Sequence, residues 1–171
     1  MLFVLEACLV LLLYLEPPGP FDVDGAFKTI SYGFVQHPGF GAALVFCLAV
    51  ESCVVLRFVD GWWAALAVYG SQVGALGALV CPSGADSRHM GFAITFFVST
   101  LALSALLWWR RRVTWTQLGA QALSFLLLIF FFAKDTPSAV GAMEVVYVYF
   151  MLNAWVLDSG EVGPRALLLN V

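Results

Sequence analysis

Residues 62–81 read WWAALAVYGSQVGALGALVC and contain no charged side chain. An α-helix rises about 1.5 Å per residue, so about 20 apolar residues cross the ~30 Å hydrocarbon core of a bilayer. The stretch therefore predicts a transmembrane helix. Small residues recur along it at helical spacing, at Gly70, Gly74 and Gly77. Because such residues let two helices approach closely in lipid, we expect this helix to be central and tightly crossed.

The rest of the chain shares this apolar character. Of its 171 residues, 62% are hydrophobic and 11% are charged. An average soluble domain is about 45–50% apolar and about 25% charged. So few charged side chains would not cover a surface exposed to water, and we therefore expect a membrane protein. The length allows about six helices with short loops and leaves no room for a soluble domain.

Proline, glycine and charged residues divide the chain into six apolar runs. The predicted spans are 2–15, 39–58, 62–81, 90–109, 115–133 and 138–157. Because the connections are short, neighbouring helices are antiparallel. The predicted fold is an all-α membrane protein, an antiparallel bundle of about six transmembrane helices in a single domain over 1–171. If the short first run lies in the membrane interface, five spans remain and the N-terminus changes sides.

The basic residues predict an orientation. Five of them fall on one side of this bundle, namely Arg57, Arg110, Arg111, Arg112 and Arg165, and three on the other, namely Lys28, Arg88 and Lys134. By the positive-inside rule, both termini face the cytoplasm or its organellar equivalent. Trp62, Trp63, Trp108, Trp109 and Trp115 fall at run ends on the Arg-rich side. We expect these tryptophans and Arg110–Arg112 to anchor the protein at the interface.

Composition and spacing exclude several functions. A net charge of −3 with only 8 basic residues gives no footprint for a phosphate backbone, so nucleic-acid binding is excluded. The four cysteines form neither a CxxC pair nor a metal-ligand spacing, and the two histidines lack the pairing that haem needs. We predict no metal and no cofactor. No catalytic signature is present, so enzymatic activity stays open, with a non-enzymatic role favoured.

Ionisable residues in apolar runs are the candidates for function, because a charge in hydrocarbon is costly. Glu51 lies within the second run, where a protonated or hydrogen-bonded packing carboxyl is expected. His89 begins the fourth run and Glu144 the sixth, both on the side away from the arginines. With Ser31 of the long first loop nearby, they could bind a polar headgroup or act as acid and base. Alternatively, they are helix-end residues that reach water.

Three segments resemble the damage-regulated autophagy modulator (DRAM) family, whose relatives include proteins that remodel GPI-anchor lipids. They are FKTISYGFVQHPGFGAALVF at 27–46, VGALGALV at 73–80 with SRHMGFAITFF at 87–97, and AVGAMEVVYVYF at 139–150. The matching residues are Ile30, Ser31, Pro38, Gly74, His89, Gly91, Phe96, Phe97 and Glu144. Tyr32 stands where the family pattern has Asp. The resemblance implies six spans with both ends cytoplasmic, and it implies no single activity.

Three functional hypotheses follow. The first is a non-enzymatic accessory subunit that packs against other membrane protein subunits and bound lipids in a larger assembly. The second is a DRAM-like lipid-handling or lipid-remodelling protein that uses His89 and Glu144. The third is a channel or transporter, which the scarcity of intramembrane polar groups disfavours. We expect an integral protein of an organellar membrane, with the mitochondrial inner membrane a candidate, or of an endomembrane.

Overall fold

The computed structural model describes residues 30, 38–56, 60–81, 87–110 and 112–159. Within these ranges every regular element is a helix. The five helices are α1 (Pro38–Val55), α2 (Trp62–Val80), α3 (Ser87–Trp109), α4 (Trp115–Ala133) and α5 (Pro137–Ser159). The first predicted span, 2–15, lies outside the described residues. The predicted all-α fold class is therefore confirmed for the part of the chain that is described.

Three helices are long and apolar enough to cross a membrane: Trp62–Val80, Arg88–Trp109 and Trp115–Ala133. Two further apolar stretches, Gly41–Val55 and Ser138–Ala154, are shorter. The structure thus supports an integral membrane protein with three candidate spans, and the bundle of six spans stays a prediction. The observed bounds of α2 and α4 agree closely with the predicted ones, whereas α3 begins at Ser87, a few residues before the predicted start.

Local signals fix where the helices start. The Thr114 hydroxyl accepts a hydrogen bond from the Gln117 backbone N–H at 3.2 Å, and the Thr114 N–H donates to the Gln117 side-chain oxygen at 3.0 Å. This reciprocal capping box starts α4, because it satisfies N–H groups that have no partner inside the helix. Gly61 precedes α2 with φ 107°, a backbone conformation that suits glycine and few other residues.

The closest helix contact joins α2 to α3. A methyl group added at Gly74 would lie 2.5 Å from the Phe96 backbone nitrogen and 2.8 Å from the Phe92 carbonyl oxygen. The backbones of the two helices therefore touch where glycine provides no side chain. Methyl groups at the other two glycines of this face would meet side chains, Ser99 at Gly70 and the Phe92 ring at Gly77. The small-residue face of α2 thus packs against α3 within this chain.

The remaining helices build around this pair. α4 and α5 form a second antiparallel pair, and α3 contacts both of them. α1 packs against α2 and also reaches α5. This arrangement brings α1, α2, α3 and α5 around one common space, which holds the candidate site.

The outer surface of the helices is apolar. On α2 a row of exposed side chains recurs every three or four residues, at Trp62, Leu66, Tyr69, Val73, Leu76 and Val80, and Trp63 is exposed beside it. α4 likewise exposes Leu123, Leu126, Ile129 and Phe130. Soluble monomers rarely expose large contiguous apolar patches, whereas lipid chains cover such faces at little cost.

Candidate functional site

A cavity of about 60 Å³ lies where α1, α2, α3 and α5 meet. By the same measure a single water molecule needs about 10–15 Å³, so the cavity holds about four groups of that size. Most of its lining is apolar, including Leu44 and Leu48 of α1, Ala75 and Ala78 of α2, and Ala93 and Phe96 of α3. Two ionisable side chains also line it, His89 of α3 and Glu144 of α5.

The orientation of His89 follows from the end of α2. Its side chain is buried in the first turn of α3, and Nδ1 lies 2.9 Å from the backbone oxygen of Cys81, the residue that follows α2. A carbonyl oxygen can only accept, so Nδ1 carries the hydrogen of this bond. In the neutral ring Nε2 then has no hydrogen and is an acceptor. His89 therefore joins α3 to the end of α2 and offers the cavity a basic ring nitrogen.

Glu144 also bonds to the backbone of a distant segment. Its Oε2 accepts a hydrogen bond from the backbone N–H of Ile30 at 2.9 Å. Ile30 is itself buried and lines the same cavity. The carboxyl group therefore holds a residue from the N-terminal part of the chain against α5. A carboxyl group has two oxygens, and a single backbone N–H uses only part of their capacity to accept hydrogen bonds.

The structure thus places two of the three predicted catalytic or binding candidates at one cavity. His89 and Glu144 each bond to a backbone group, Cys81 and Ile30 respectively. Ser31, the third candidate, lies outside the described residues. The cavity accordingly has an apolar body and a polar edge that consists of one imidazole and one carboxyl group.

Glu51, the predicted intramembrane carboxyl, lies elsewhere. It is buried in α1 and does not line the cavity. Close to it in the chain, α1 and α2 share a polar contact, in which Gln72 Nε2 donates to Ser52 Oγ at 3.2 Å. A smaller cavity lies here, mainly between α1 and α2. Among the residues that the structure describes, His89 and Glu144 are the ionisable groups that line the larger cavity.

The predicted interface anchors gather at the opposite end of the helices. α2 starts there, α3 ends there and α4 starts there. Exposed tryptophans at this end are Trp62, Trp63, Trp109 and Trp115, while Trp108 is partly buried and its ring centroid lies 4.0 Å from that of Trp115. Arg110 lies 3.7 Å from Asp60, both of them exposed. Arg112 is exposed too, and Arg111 lies outside the described residues.

Sequence analysis missed a buried polar cluster that joins three helices. The Tyr147 hydroxyl of α5 donates to the Phe97 carbonyl oxygen at 2.6 Å, and it accepts from Gln121 Nε2 of α4 at 3.0 Å. The Thr100 hydroxyl oxygen of α3 lies 2.7 Å from the Tyr147 hydroxyl oxygen. Tyr147, Thr100 and Gln121 are completely buried. In the sequence, these three residues stand out only as uncharged polar residues inside apolar runs.

The described residues contain no group of three or more His, Cys, Asp or Glu side chains that could hold a metal ion. The chemistry available at the cavity is hydrogen bonding and proton exchange by His89 and Glu144. Searches against protein-family models, curated proteins and solved structures found no match to this chain. The site therefore rests on its own geometry.

Proposed function

We propose that this chain is an integral membrane protein that binds a lipid, with the polar end of that lipid held at the cavity edge by His89 and Glu144. One observation carries the proposal: an imidazole and a carboxyl group, separated by more than fifty residues in sequence, line one apolar cavity of an otherwise apolar bundle. Polar groups in apolar surroundings are costly, and in membrane helices they commonly mark functional sites.

The apolar lining and the small volume of the cavity favour a lipid over a water-soluble ligand. Nearly all of its lining is apolar, and the faces of the helices outside it are apolar as well. Its volume of about 60 Å³ is far smaller than a whole lipid. A bound lipid would therefore place its polar end and first few carbons in the cavity, while the remaining chain extends into the bilayer.

The DRAM family, which the chain resembles, has relatives that remodel lipids, although the resemblance implies no single activity. A relationship to that family is part of this proposal. A role as an accessory subunit is compatible with it, since a protein that holds a lipid can also pack against other subunits. Membership of an organellar or endomembrane assembly, and the placement of both termini on the Arg-rich side, likewise remain proposals. No observation on the described residues favours a channel or transporter.

A cavity-filling substitution tests the proposal. Ala78 of α2 lines the cavity, so Ala78→Leu places a larger side chain in the space where the lipid end would lie. The matched control is Val73→Leu, which adds bulk at an exposed position of the same helix. Each protein is purified in a mild detergent and its retained lipid is measured by native mass spectrometry.

The wild type and Val73→Leu are expected to retain a lipid adduct, and Ala78→Leu is expected to lose it. If all three proteins retain the same lipid to the same extent, the lipid does not occupy the cavity. If no protein retains any lipid, even when lipid is added back, the proposed function is wrong.

A further inference from the structure

We infer that the polar end of the bound lipid is a hydroxyl group, which donates a hydrogen bond to His89 or Glu144. This inference rests on the proposed function and adds the chemical class of the ligand. It follows from which hydrogen-bonding atoms the cavity still offers, from the charge around it and from its size.

His89 keeps one acceptor for a ligand at the cavity. His89 Nδ1 is committed to the Cys81 carbonyl oxygen, which leaves Nε2 of the neutral ring as an acceptor. The Ile30 N–H is committed to Glu144 Oε2, and a carboxyl group retains acceptor capacity in either protonation state. A ligand that fits such an edge must supply the hydrogen. A hydroxyl does so, whereas an ester, an ether or a ketone does not.

Charge excludes the common anionic headgroups. The cavity lining includes one carboxyl group and, among the described residues, neither lysine nor arginine. A phosphate or a fatty-acid carboxylate would meet an ionised Glu144 with a like charge, and no lysine or arginine of the described residues lines the cavity to compensate. An ammonium group carries the opposite charge but would have to leave water for a mostly apolar space, which is costly.

Size gives the last constraint. Space for about four water-sized groups accepts a hydroxyl with its first few carbons. A phosphocholine or a sugar headgroup is larger than this space. A neutral lipid with a small hydroxyl end, such as a long-chain alcohol or the free hydroxyl of a glyceride, meets all three requirements.

The experiment compares photoreactive alkyl probes of equal chain length that end in a hydroxyl, a methyl ether, a carboxylate or an amine. Each probe is titrated against the purified full chain in lipid nanodiscs, and saturable cross-linking gives its apparent affinity. We expect the alcohol to bind about 10-fold more tightly than the methyl ether, because only the alcohol donates a hydrogen bond to a buried acceptor. The carboxylate and the amine should bind more weakly than the alcohol.

Two variants of His89 separate its two ring nitrogens. In His89→Asn the amide N–H can replace Nδ1–H toward the Cys81 oxygen, but nothing replaces Nε2, so the preference for the alcohol over the ether should shrink. In His89→Gln the longer side chain can place an oxygen near the position of Nε2, so most of the preference should remain. Glu144→Gln keeps an oxygen for the Ile30 N–H and shows how much of the preference depends on the carboxylate.

The outcomes separate the two proposals. Equal, saturable binding of the alcohol and the ether, lost in Ala78→Leu, would leave the lipid site in place and overturn the hydroxyl assignment. Stronger binding of the amine or the carboxylate would overturn it as well. An alcohol preference that neither His89→Asn nor Glu144→Gln changes would show that the hydroxyl lies elsewhere. If no probe binds saturably, the proposed function itself fails.

Discussion

Small residues lie on two faces of α2, and they accompany close packing on one face and a cavity on the other. On one face, Gly74 lies directly against the backbone of α3 and leaves no space. On a neighbouring face, Ala75 and Ala78 have α1, α3 and α5 around them, and a cavity remains. The difference lies in what faces each surface. The backbone of α3 fills the space beside Gly74, whereas the side chains around Ala75 and Ala78 leave a cavity. A small-residue pattern therefore indicates close packing only where another helix can reach it.

The largest effect on stability is expected at Gly74, on the face of α2 that packs directly against α3. In Gly74→Ala the new methyl group would lie 2.5–2.8 Å from backbone atoms of Phe96 and Phe92, which cannot rotate away. We expect the free energy of unfolding to fall by about 3 kcal/mol, the upper part of the range for overpacked sites. Unfolding by a denaturing detergent in mixed micelles measures it. The matched control is Gly119→Ala on α4, where the methyl group meets nothing within 4 Å; an equal loss there would show that the contact is not the cause.

The next effect tests the polar cluster that joins α5 to α3 and α4. Tyr147→Phe keeps the ring and removes the hydroxyl that bonds to Phe97 and Gln121. We expect a loss of about 1–3 kcal/mol, because buried hydrogen-bonding groups are left without their partner. Tyr149→Phe, at an exposed position of the same helix, is the control and should change little. Equal stability of both variants would contradict a structural role for the cluster.

A smaller loss is expected where the glycine face of α2 meets a side chain. In Gly77→Ala the methyl group would overlap the Phe92 ring, and a change of the Phe92 rotamer can relieve the overlap, unlike the backbone contact that faces Gly74. A loss of about 1 kcal/mol is expected from the same unfolding measurement. If Gly77→Ala costs as much as Gly74→Ala, the distinction between backbone and side-chain contact is wrong.

The smallest effect belongs to the ion pair at the tryptophan-rich end. Asp60 and Arg110 are 3.7 Å apart and both are exposed. We expect Asp60→Asn to lower the free energy of unfolding by at most about 0.5 kcal/mol, since exposed pairs contribute little and salt screens them. Raising the ionic strength should give the wild type a similarly small loss. A loss above that of Gly77→Ala would indicate that this pair helps to hold α2 against α3.

Much of the fold could be predicted because its signals are local. Charge-free runs, glycine, proline and charged turns located α2 and α4 almost to the residue. The start of α3 was predicted at residue 90, whereas the helix begins at Ser87 and contains Arg88 and His89 in its first turn. The capping box of Thr114 and Gln117 is a local sequence signal that marks the start of α4.

The site was only partly accessible from sequence. That His89 and Glu144 lie toward the same ends of their helices could be inferred from the order of the runs. His89 lies in the first turn of α3, whereas Glu144, predicted to begin its run, lies inside α5, which starts at Pro137. That they share a cavity could not be inferred, because this depends on how four helices leave a space between them. The same holds for the Tyr147 cluster, since which of many polar residues in apolar runs meet one another is a property of the packing.

The most direct test of the account is to find where a bilayer lipid touches this protein. The full chain is reconstituted in bilayers that contain a photoreactive long-chain alcohol, and the labelled positions are mapped by mass spectrometry. If the lipid binds in the cavity, saturable labelling is expected at cavity positions such as Ala78 and Ala93, and this labelling is lost in Ala78→Leu. Labelling confined to the exposed positions of α2, such as Leu66, Val73 and Val80, would contradict it.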